Sequence, residues 1–458
     1  MKTTLSLIAL AALLAACAGP EPKRPVASEA AAAAVPNAFP LPGGPSSVAA
    51  AELPWAQAFK GARLQRLIPL ALANNRDLRV AVLNIETARA TAAARDADLW
   101  PTVNAGLSGS RTPTAAGGIN SAYQAGLQVS AYELDLFGRL LGLSAAAAAQ
   151  VLAAQSNQQA VRTALVASVA NAEIALQADE ALLRITRDTL ATREQSLSLT
   201  RQRFEGGVAG QLDLSTTESS WQAARAVLAQ AQRQRALDEN ALALLIGGPL
   251  PADLPAPTGD LADFEPLAEL PAGLPSEVLT RRPDIRQAEF QLGATDANID
   301  AARAAFWPRI TLTGSVGTAS GHLSDLFKNS AWSFAPSLVQ PIFDAGRNRA
   351  NLAGARASRD IALAQYEKAI QTAFREVADG LAGRATLAEQ RAALAAQVDA
   401  ESRRLNAAEQ RYTAGVSSAL DRLDAQRSLF AAQQTLVQVQ SQRAQNLVAL
   451  YRALGGGG

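Results

Sequence analysis

Several residue types are scarce in this chain of 458 residues, and their scarcity excludes certain bonds and kinds of site. The single cysteine, Cys17, excludes an intramolecular disulfide, and the single methionine, the initiator, excludes a methionine relay for soft metal ions. The single histidine, His322, lies in a Gly/Ser-rich stretch and is predicted to be a solvated loop residue. There is no glycine-rich phosphate loop and no Gly-x-Ser-x-Gly motif. We therefore expect neither an enzyme nor a bound metal or cofactor.

Proline is missing from two long stretches, residues 114–248 and 342–458. Both stretches are dominated by Ala, Leu, Gln, Arg and Glu, which are strong helix formers. Each is predicted to be a long helical hairpin that turns at glycine, at Gly206-Gly207 in the first half and at Gly415 in the second. An arm of about 65 residues would span on the order of 100 Å, too long for one compact globule. The formal net charge of +1 gives no indication of a nucleic-acid partner.

Apolar residues recur every seven positions in the last predicted helix, which indicates coiled-coil packing. These residues are Val416, Leu423, Phe430, Val437, Ala444 and Tyr451. The two halves of the chain also share landmarks about 207 positions apart, which predicts an internal duplication. Trp100-Pro101 corresponds to Trp307-Pro308, Gly138-Arg139 to Gly346-Arg347, and Arg203-Phe204 to Arg411-Tyr412. The predicted divisions are a signal peptide 1–16, a tether 17–60, repeat 1 over 61–247, a linker 248–273 and repeat 2 over 274–454.

Two segments of each repeat alternate apolar with small polar residues, which is the period of a β-strand. The predicted strands are 101–110, 123–134, 308–317 and 331–342, and the predicted helical hairpins are 139–247 and 345–454. Strands of about ten residues with one apolar face match transmembrane barrel strands, but a water-soluble sheet with one buried face has the same pattern. Four strands cannot close a barrel, and open edges are unsatisfied in lipid. A membrane barrel from this chain must therefore be oligomeric.

The N-terminus carries Lys2, an apolar run and then the tetrapeptide Leu14–Cys17, which predicts a signal peptide. The tetrapeptide resembles the bacterial lipobox, which implies that Cys17 carries covalent lipid. The residues that follow it, up to about 60, are rich in Pro, Ala and Ser without sustained periodicity, which predicts an extended tether. The alternative is an ordinary exported protein whose cleavage site happens to adjoin a cysteine. Residue Ala18, where an inner-membrane lipoprotein would have aspartate, favours the outer membrane.

Together these motifs resemble the TolC-like outer membrane factors, in particular the NodT-like lipoprotein branch serving resistance-nodulation-division efflux pumps. The most specific pieces are Leu279–Glu289, Phe306–Pro308, Arg411–Val416 and Leu420–Arg427. The resemblance implies a mainly α fold with membrane β, a homotrimer whose twelve strands form one outer-membrane β-barrel continued by a periplasmic α-helical coiled-coil barrel. It further implies the passive exit duct of a tripartite efflux pump in a Gram-negative bacterium. Its partners would be a periplasmic adaptor protein, an inner-membrane transporter and outer membrane lipid.

The resemblance also implies a periplasmic gate, formed by Leu420, Asp421, Asp424 and Arg427. The two aspartates share a helix face, so a trimer would place six carboxylates around a narrow opening that favours cations. Arg427 is expected to pair with Asp424 within one subunit or between subunits. A plainer interpretation is that acidic residues here only complement the helix dipole, with Ser417 or Ser418 as the N-cap. A pure capping role is less favoured because the position of Asp424 corresponds to Thr216, which has no carboxylate, in the other repeat.

The two hairpin tips are expected, by the same resemblance, to meet the adaptor. The residues concerned are Arg203, Gly207, Val208, Arg411, Tyr412, Gly415 and Val416. The alternative is that they only reverse the chain.

Two other functions remain open from the sequence. One is a coiled-coil structural lipoprotein that spaces the envelope layers without a conducting lumen, and the other is an exit duct for type I secretion or metal efflux.

Overall fold

A computed structural model of the protein describes residues 54–115, 117–261 and 282–456. The helices are α1 (Trp55–Ala58), α2 (Ala62–Asn74), α3 (Arg76–Ala97), α4 (Arg139–Glu205), α5 (Gln211–Ile246), α6 (Pro283–Ala304), α7 (Arg347–Thr413) and α8 (Ala419–Ala453). The strands are β1 (Val103–Pro113), β2 (Ile119–Leu134), β3 (Arg309–Ser320) and β4 (Ser330–Val339). The signal peptide, Cys17, most of the tether, and residues 262–281 lie outside the described residues. Across the described ranges, no helix combines the length and the apolar character needed to cross a membrane.

The chain forms two compact units, and neither coincides with one of the sequence repeats. The described part of the first unit is Val82–Asn157 and Asp284–Ala369 and contains the four strands. The second unit takes its described residues from the ranges Glu29–Ala81, Gln158–Pro283 and Ile370–Gly458. The long helices α4 and α7, each of 67 residues, contribute to both units. The duplication is therefore not a division into two consecutive domains.

The four strands form one antiparallel sheet in the order β1-β2-β3-β4. Its register sets apolar residues directly opposite one another on one face, with Val103 opposite Val129, Ala105 opposite Leu127, Leu127 opposite Val316, and Val316 opposite Trp332. The other face carries small polar pairs such as Ser315 and Ser333, whose hydroxyls are 2.7 Å apart. The alternation in the sequence thus becomes two chemically different faces. Pro336 lies in β4, an edge strand, where a missing backbone N–H is tolerated.

A β-bulge in β2 keeps the apolar side chains on that same face. Val129 is opposite Gly314 but Tyr132 is opposite Leu312, so β2 contains one extra residue between them. The bulge includes Ala131 at φ 52°, a left-handed conformation that is rare for alanine. The extra residue shifts the alternation of side chains between the two faces by one position. The apolar residues therefore occupy odd positions before the bulge and even positions, Tyr132 and Leu134, after it.

The strands are displaced from their predicted bounds, mostly toward the loops that join them. The ladder between β1 and β2 continues to Pro113 opposite Ile119, and β3 runs to Ser320, whereas the prediction ended them at 110 and 317. The residues added there are mostly polar and carry no hydrophobic alternation, so the pattern could not detect them. At the other end, β4 stops at Val339, and residues 340–342 are not in the strand.

The core of the second unit lies between α2, α4, α5 and α8, and it includes residues that the sequence had assigned to the tether and the linker. Phe59, predicted in the tether, is fully buried and packs edge-on against Tyr451 with ring centroids 5.2 Å apart. From the predicted linker, Gly259 donates its backbone N–H to Gln177 at 2.9 Å, and Leu261 joins the core. A Cβ on Gly259 would approach the Ala181 nitrogen to 2.9 Å, so glycine permits this contact.

Helices α7 and α8 approach each other closely at two glycines. A Cβ on Gly380 would lie 3.0 Å from Leu450 Cδ1, and one on Gly383 would lie 2.5 Å from Asn446 Oδ1. The Asn446 amide donates to the Gly380 carbonyl at 2.9 Å. The heptad residues of α8 are buried toward its C-terminal end, at Val437, Ala444 and Tyr451. Val416 precedes the helix and is exposed, so the predicted seam does not extend to it.

Candidate functional site

The apolar face of the sheet is not covered by any described part of this chain. Leu107 is 71% exposed and Trp332 is 79% exposed, and the same face exposes Val103, Leu127, Val316, Phe334 and Leu338. Large apolar side chains in a contiguous exposed array indicate an apolar environment outside the chain. Both edges of the sheet, on β1 and β4, have no strand partner within the described chain. The sheet is therefore not a water-soluble sheet whose apolar face is buried by the described part of its own chain.

Aromatic and charged residues mark the end of the sheet next to the helices. The rings of Phe137 and Trp307 stack with centroids 5.3 Å apart and planes inclined by 8°. Trp100 and Trp307 are both exposed, as expected of aromatic side chains at a membrane–water interface. Close by, the buried Glu133 carboxylate accepts hydrogen bonds from Arg139 at 2.8 Å and pairs with Arg309 at 2.5 Å. This network fixes the start of α4 to the sheet.

Both hairpin tips reverse the chain in the same way. We define the first tip as Arg203–Val208 and the second as Arg411–Val416. Gly207 has φ 73° and Gly415 has φ 74°, so each is the left-handed residue that ends its helix. The valine N–H donates to the arginine carbonyl in each tip, Val208 to Arg203 at 2.8 Å and Val416 to Arg411 at 2.9 Å.

The tip residues separate into an exposed group and a buried one. Val208, Val416 and Arg411 are exposed, whereas Tyr412 is only 7% exposed. Arg203 lies over the Tyr412 ring with its guanidinium carbon 4.9 Å from the centroid, and Arg422 lies over the same ring at 4.3 Å. Tyr412 thus joins the two tips within one subunit. The expectation that Tyr412 is a surface contact residue is wrong for this structure, because cation–π contacts cover its ring.

Arg422 is a residue of this cluster that sequence reasoning missed. Its side chain is buried, its Nε and Nη2 atoms have no hydrogen-bond partner among the described residues, and burial lowers its pKa. One signal could have identified it. By the offset of the two tips, Arg422 corresponds to Leu214 in repeat 1, so it is a charge at a position where the other repeat has an apolar residue.

Asp421 is the third residue of helix α8 and forms a capping box with the N-cap residue Ser418. Its carboxylate accepts from the Ser417 hydroxyl at 2.7 Å and from the Ser418 hydroxyl and backbone N–H, and Ser418 accepts from the Asp421 N–H. The hydrogen bonds from Ser417 and Ser418 lower the pKa of Asp421. The capping role considered from the sequence is thus present. The start of α5 lacks it, since its N-cap Gly210 offers no side chain.

Asp424 is clamped between two arginines. Arg404 on α7 donates to Asp424 Oδ2 at 2.5 Å, and Arg427 donates to Oδ1 at 2.5 Å. The hydrogen bond from Arg404, reinforced by both positive charges, lowers the pKa of Asp424. Arg427 thus pairs within its own helix. Arg404 lies 20 positions upstream, and no local pattern pointed to it. Leu420 is exposed beside this cluster.

A family model described as outer membrane efflux protein matches residues 67–248 and 274–456, one segment in each repeat. The chain belongs to this family. It is similar to the probable efflux pump outer membrane protein TtgC of Pseudomonas putida, with 46% identity covering 100% of this chain and 96% of the relative. Outer membrane protein OprJ of Pseudomonas aeruginosa is 44% identical, with 88% and 86% covered. The open state of the MtrE outer membrane channel of Neisseria gonorrhoeae superposes with a TM-score of 0.85 at 41% identity, covering 96% of this chain and 98% of that one.

These similarities confirm the predicted resemblance to TolC-like outer membrane factors and the predicted fold class of a trimeric channel with four strands per chain. The protein is an outer membrane efflux channel component of a Gram-negative bacterium. The roles of individual gate and tip residues remain predictions. Within the described residues, no group of three or more His, Cys, Asp or Glu side chains could hold a metal ion.

Proposed function

We propose that three copies of this chain form the exit duct of a tripartite efflux pump, with their twelve strands closing one barrel in the outer membrane. The observation that carries this proposal is the four-stranded sheet, which has an exposed apolar face and two unpaired edges. In lipid, strand edges require partners, and identical sheets from two neighbours provide them. The duct conducts passively and performs no chemical step. Covalent lipid on Cys17 is its only proposed non-protein group.

The cargo is proposed to be small organic molecules, including drugs and apolar solvents. Relatives are named as toluene, antibiotic and solvent efflux proteins, which supports this class. An inner-membrane transporter of the resistance-nodulation-division class supplies energy, and a periplasmic adaptor joins it to the duct. The exposed valines of the tips, Val208 and Val416, together with Arg411, are the proposed contact with the adaptor. Tyr412 and Arg203 are instead proposed to hold the two tips together.

The gate is proposed to lie at the start of α8, where Leu420, Asp421, Asp424 and Arg427 of three subunits would surround the opening. Asp424 is neutralised by Arg404 and Arg427, whereas the described partners of Asp421 are hydroxyl and backbone N–H groups. Cation preference is therefore proposed to come mainly from Asp421. The clamp on Asp424 fixes α8 to α7, and opening requires an adaptor that binds the unclamped state more tightly.

Conductance of the purified trimer in planar bilayers tests the duct and the gate separately. We expect small cation-selective openings in the wild type, larger openings in Asp424→Ala, and reduced cation selectivity in Asp421→Asn. Asp399→Asn, at an exposed aspartate of α7, is the matched control and should behave as the wild type. An inserted trimer without conductance in both wild type and Asp424→Ala would overturn the duct. Conductance that is the same in all variants would overturn only the gate.

A further inference from the structure

The four strands carry very few charged side chains, and one of these lies on the apolar face of the sheet. Across the strand ranges the charged residues are Arg111, Glu133 and Arg309. Glu133 and Arg309 pair with each other at the helix end of the sheet, on its polar face. Arg111 lies near the other end of β1, before the loop 114–118, and shares the face of Val103. It is therefore a cation in an apolar array.

The position of Arg111 along β1 matches the far edge of a membrane. Arg111 is eight residues beyond Val103, and at about 3.4 Å per residue this length of strand spans about 27 Å. A barrel strand tilted by about 40° rises about 21 Å over that length, whereas the apolar band of a membrane barrel is about 25 Å tall. The long arginine side chain extends further, so its guanidinium reaches the level of the lipid headgroups.

Tyr123 and Ser121 lie beside Arg111 on the neighbouring strand β2. Tyr123 is opposite Gly109, and a Cβ on Gly109 would lie 2.8 Å from the ring atom Cδ1, so the ring covers β1 just before Arg111. Tyrosine rings at such positions mark the boundary between the apolar band and the headgroups. Ser121 is directly opposite Arg111 and shares its face, where its hydroxyl is a further hydrogen-bond donor. The apolar face thus ends in an aromatic ring followed by two donors.

Acidic side chains are nearly absent from this end of the sheet. Residues 101–132 contain no Asp or Glu, and residues 309–343 contain only Asp325. Asp325 is already paired with Lys328 at 2.7 Å, and no described acidic group lies within ion-pair distance of Arg111. A charged side chain that faces lipid is unfavourable unless a group of opposite charge pairs with it. The counter-ion of Arg111 must therefore come from outside this chain.

We propose that Arg111 and Ser121 bind a phosphate group of the phosphorylated glycolipid in the outer leaflet of the outer membrane. A guanidinium matches phosphate oxygens with two parallel hydrogen bonds, and the acyl chains of the lipid lie on the apolar face beside Leu107 and Tyr123. The site rests on the proposed duct, because only a sheet placed in the outer membrane turns its loop end toward the outer leaflet. Three copies of the chain give the barrel three such sites.

Native mass spectrometry of the purified, delipidated full-length trimer in non-ionic detergent tests this site, because it counts the lipids bound to each trimer. The probe is diphosphorylated lipid A, and the same lipid without phosphates is its matched analogue. We expect lipid A to bind about fivefold more tightly than the analogue or better. Arg111→Gln should remove this difference by weakening lipid A alone. Arg233→Gln, at an exposed arginine of α5 in no described ion pair, is the control and should behave as the wild type.

Three results would overturn the site: equal wild-type affinity for lipid A and its analogue, wild-type lipid A affinity in Arg111→Gln, or equal wild-type affinity for phosphatidylglycerol, an anionic phospholipid. If Arg111→Gln does not assemble, Arg111→Lys decides, because it keeps the charge and loses the planar fork. That variant should bind lipid A about threefold more weakly, and unchanged affinity would refute the site. Loss of the trimer in both Arg111→Gln and Asp325→Asn would assign Arg111 to Asp325 of the partner subunit and would refute it as well.

Failure of the lipid site and failure of the duct give different results. The conductance of Arg111→Gln in planar bilayers should equal that of the wild type, because Arg111 lies on the face opposite to the polar one. A conducting wild-type trimer that does not distinguish lipid A from its analogue would remove only the lipid site. An inserted trimer that binds lipid A through Arg111 but does not conduct would remove only the duct.

Discussion

Asp179 on α4 is predicted to make the stability of this protein depend on pH near neutrality. Its side chain is only 7% exposed, and it shares a hydrogen bond with Asp238 on α5. Burial raises the pKa of Asp179 to about 7, the Asp238 and Glu180 carboxylates add to the rise, and Arg235 opposes it. The folded protein therefore retains a proton on Asp179 that an unfolded chain releases near pH 4.

The sign of the effect follows from proton linkage. Between about pH 4 and 7 the folded state binds more protons at this carboxyl than the unfolded state, so the free energy of unfolding falls as pH rises through this window. Above pH 7 the folded protein bears the full free-energy cost of ionising the buried Asp179 carboxyl. Each pKa unit corresponds to about 1.4 kcal/mol, so a rise from about 4 to about 7 sets an upper bound of about 4 kcal/mol.

Asp179→Asn removes the titration and keeps a hydrogen bond to Asp238. We expect the variant to be more stable than the wild type by about 2 to 4 kcal/mol at pH 8, and by little at pH 4. Thermal unfolding of the detergent-solubilised protein, followed by circular dichroism from pH 4 to 8, measures the difference. Asp399→Asn, at the exposed aspartate of α7, controls for the loss of one charge. A difference between Asp179→Asn and the wild type that does not grow with pH would refute this reasoning.

Two further predictions concern packing and docking. Gly383→Ala should destabilise the protein by about 1 to 3 kcal/mol, because its Cβ would meet the Asn446 amide where α7 and α8 are in contact. The control is Gly354→Ala, at a glycine of α7 with open space around it. Equal melting temperatures for the two variants would contradict the prediction. Val416→Glu should lower drug export by cells while trimer yield is unchanged, because it places a charge in the exposed second tip; export at the wild-type level would count against a docking role for this tip.

Local chemistry made the long elements of this fold predictable. Two proline-free stretches of strong helix formers, each interrupted by glycine, correspond to the observed pairs α4–α5 and α7–α8. Gly207 and Gly415 both have positive φ at helix ends, as their positions in the sequence suggested. Period-two alternation likewise identified four strands, because neighbouring side chains of a strand point to opposite faces. These features depend on residues close together in the sequence.

Contacts between distant residues had no such signal. Arg404 and Asp424 are 20 positions apart, and Arg63 pairs with the buried Glu173 across 110 positions. The Phe59 ring lies in a stretch that reads as a tether, and only its packing against Tyr451 shows that it belongs to the core.

The amino-acid sequence by itself determined the repeats, the helical hairpins, the two faces of the strands and the family resemblance, because propensity and periodicity are local properties. Only the tertiary structure decided how individual side chains are used. It buried Tyr412 between Arg203 and Arg422, made Asp421 a cap, and placed Asp424 between Arg404 and Arg427. The physical reason is that burial and hydrogen-bond pairing depend on which helices lie side by side, and the spacing of residues within one helix does not encode that.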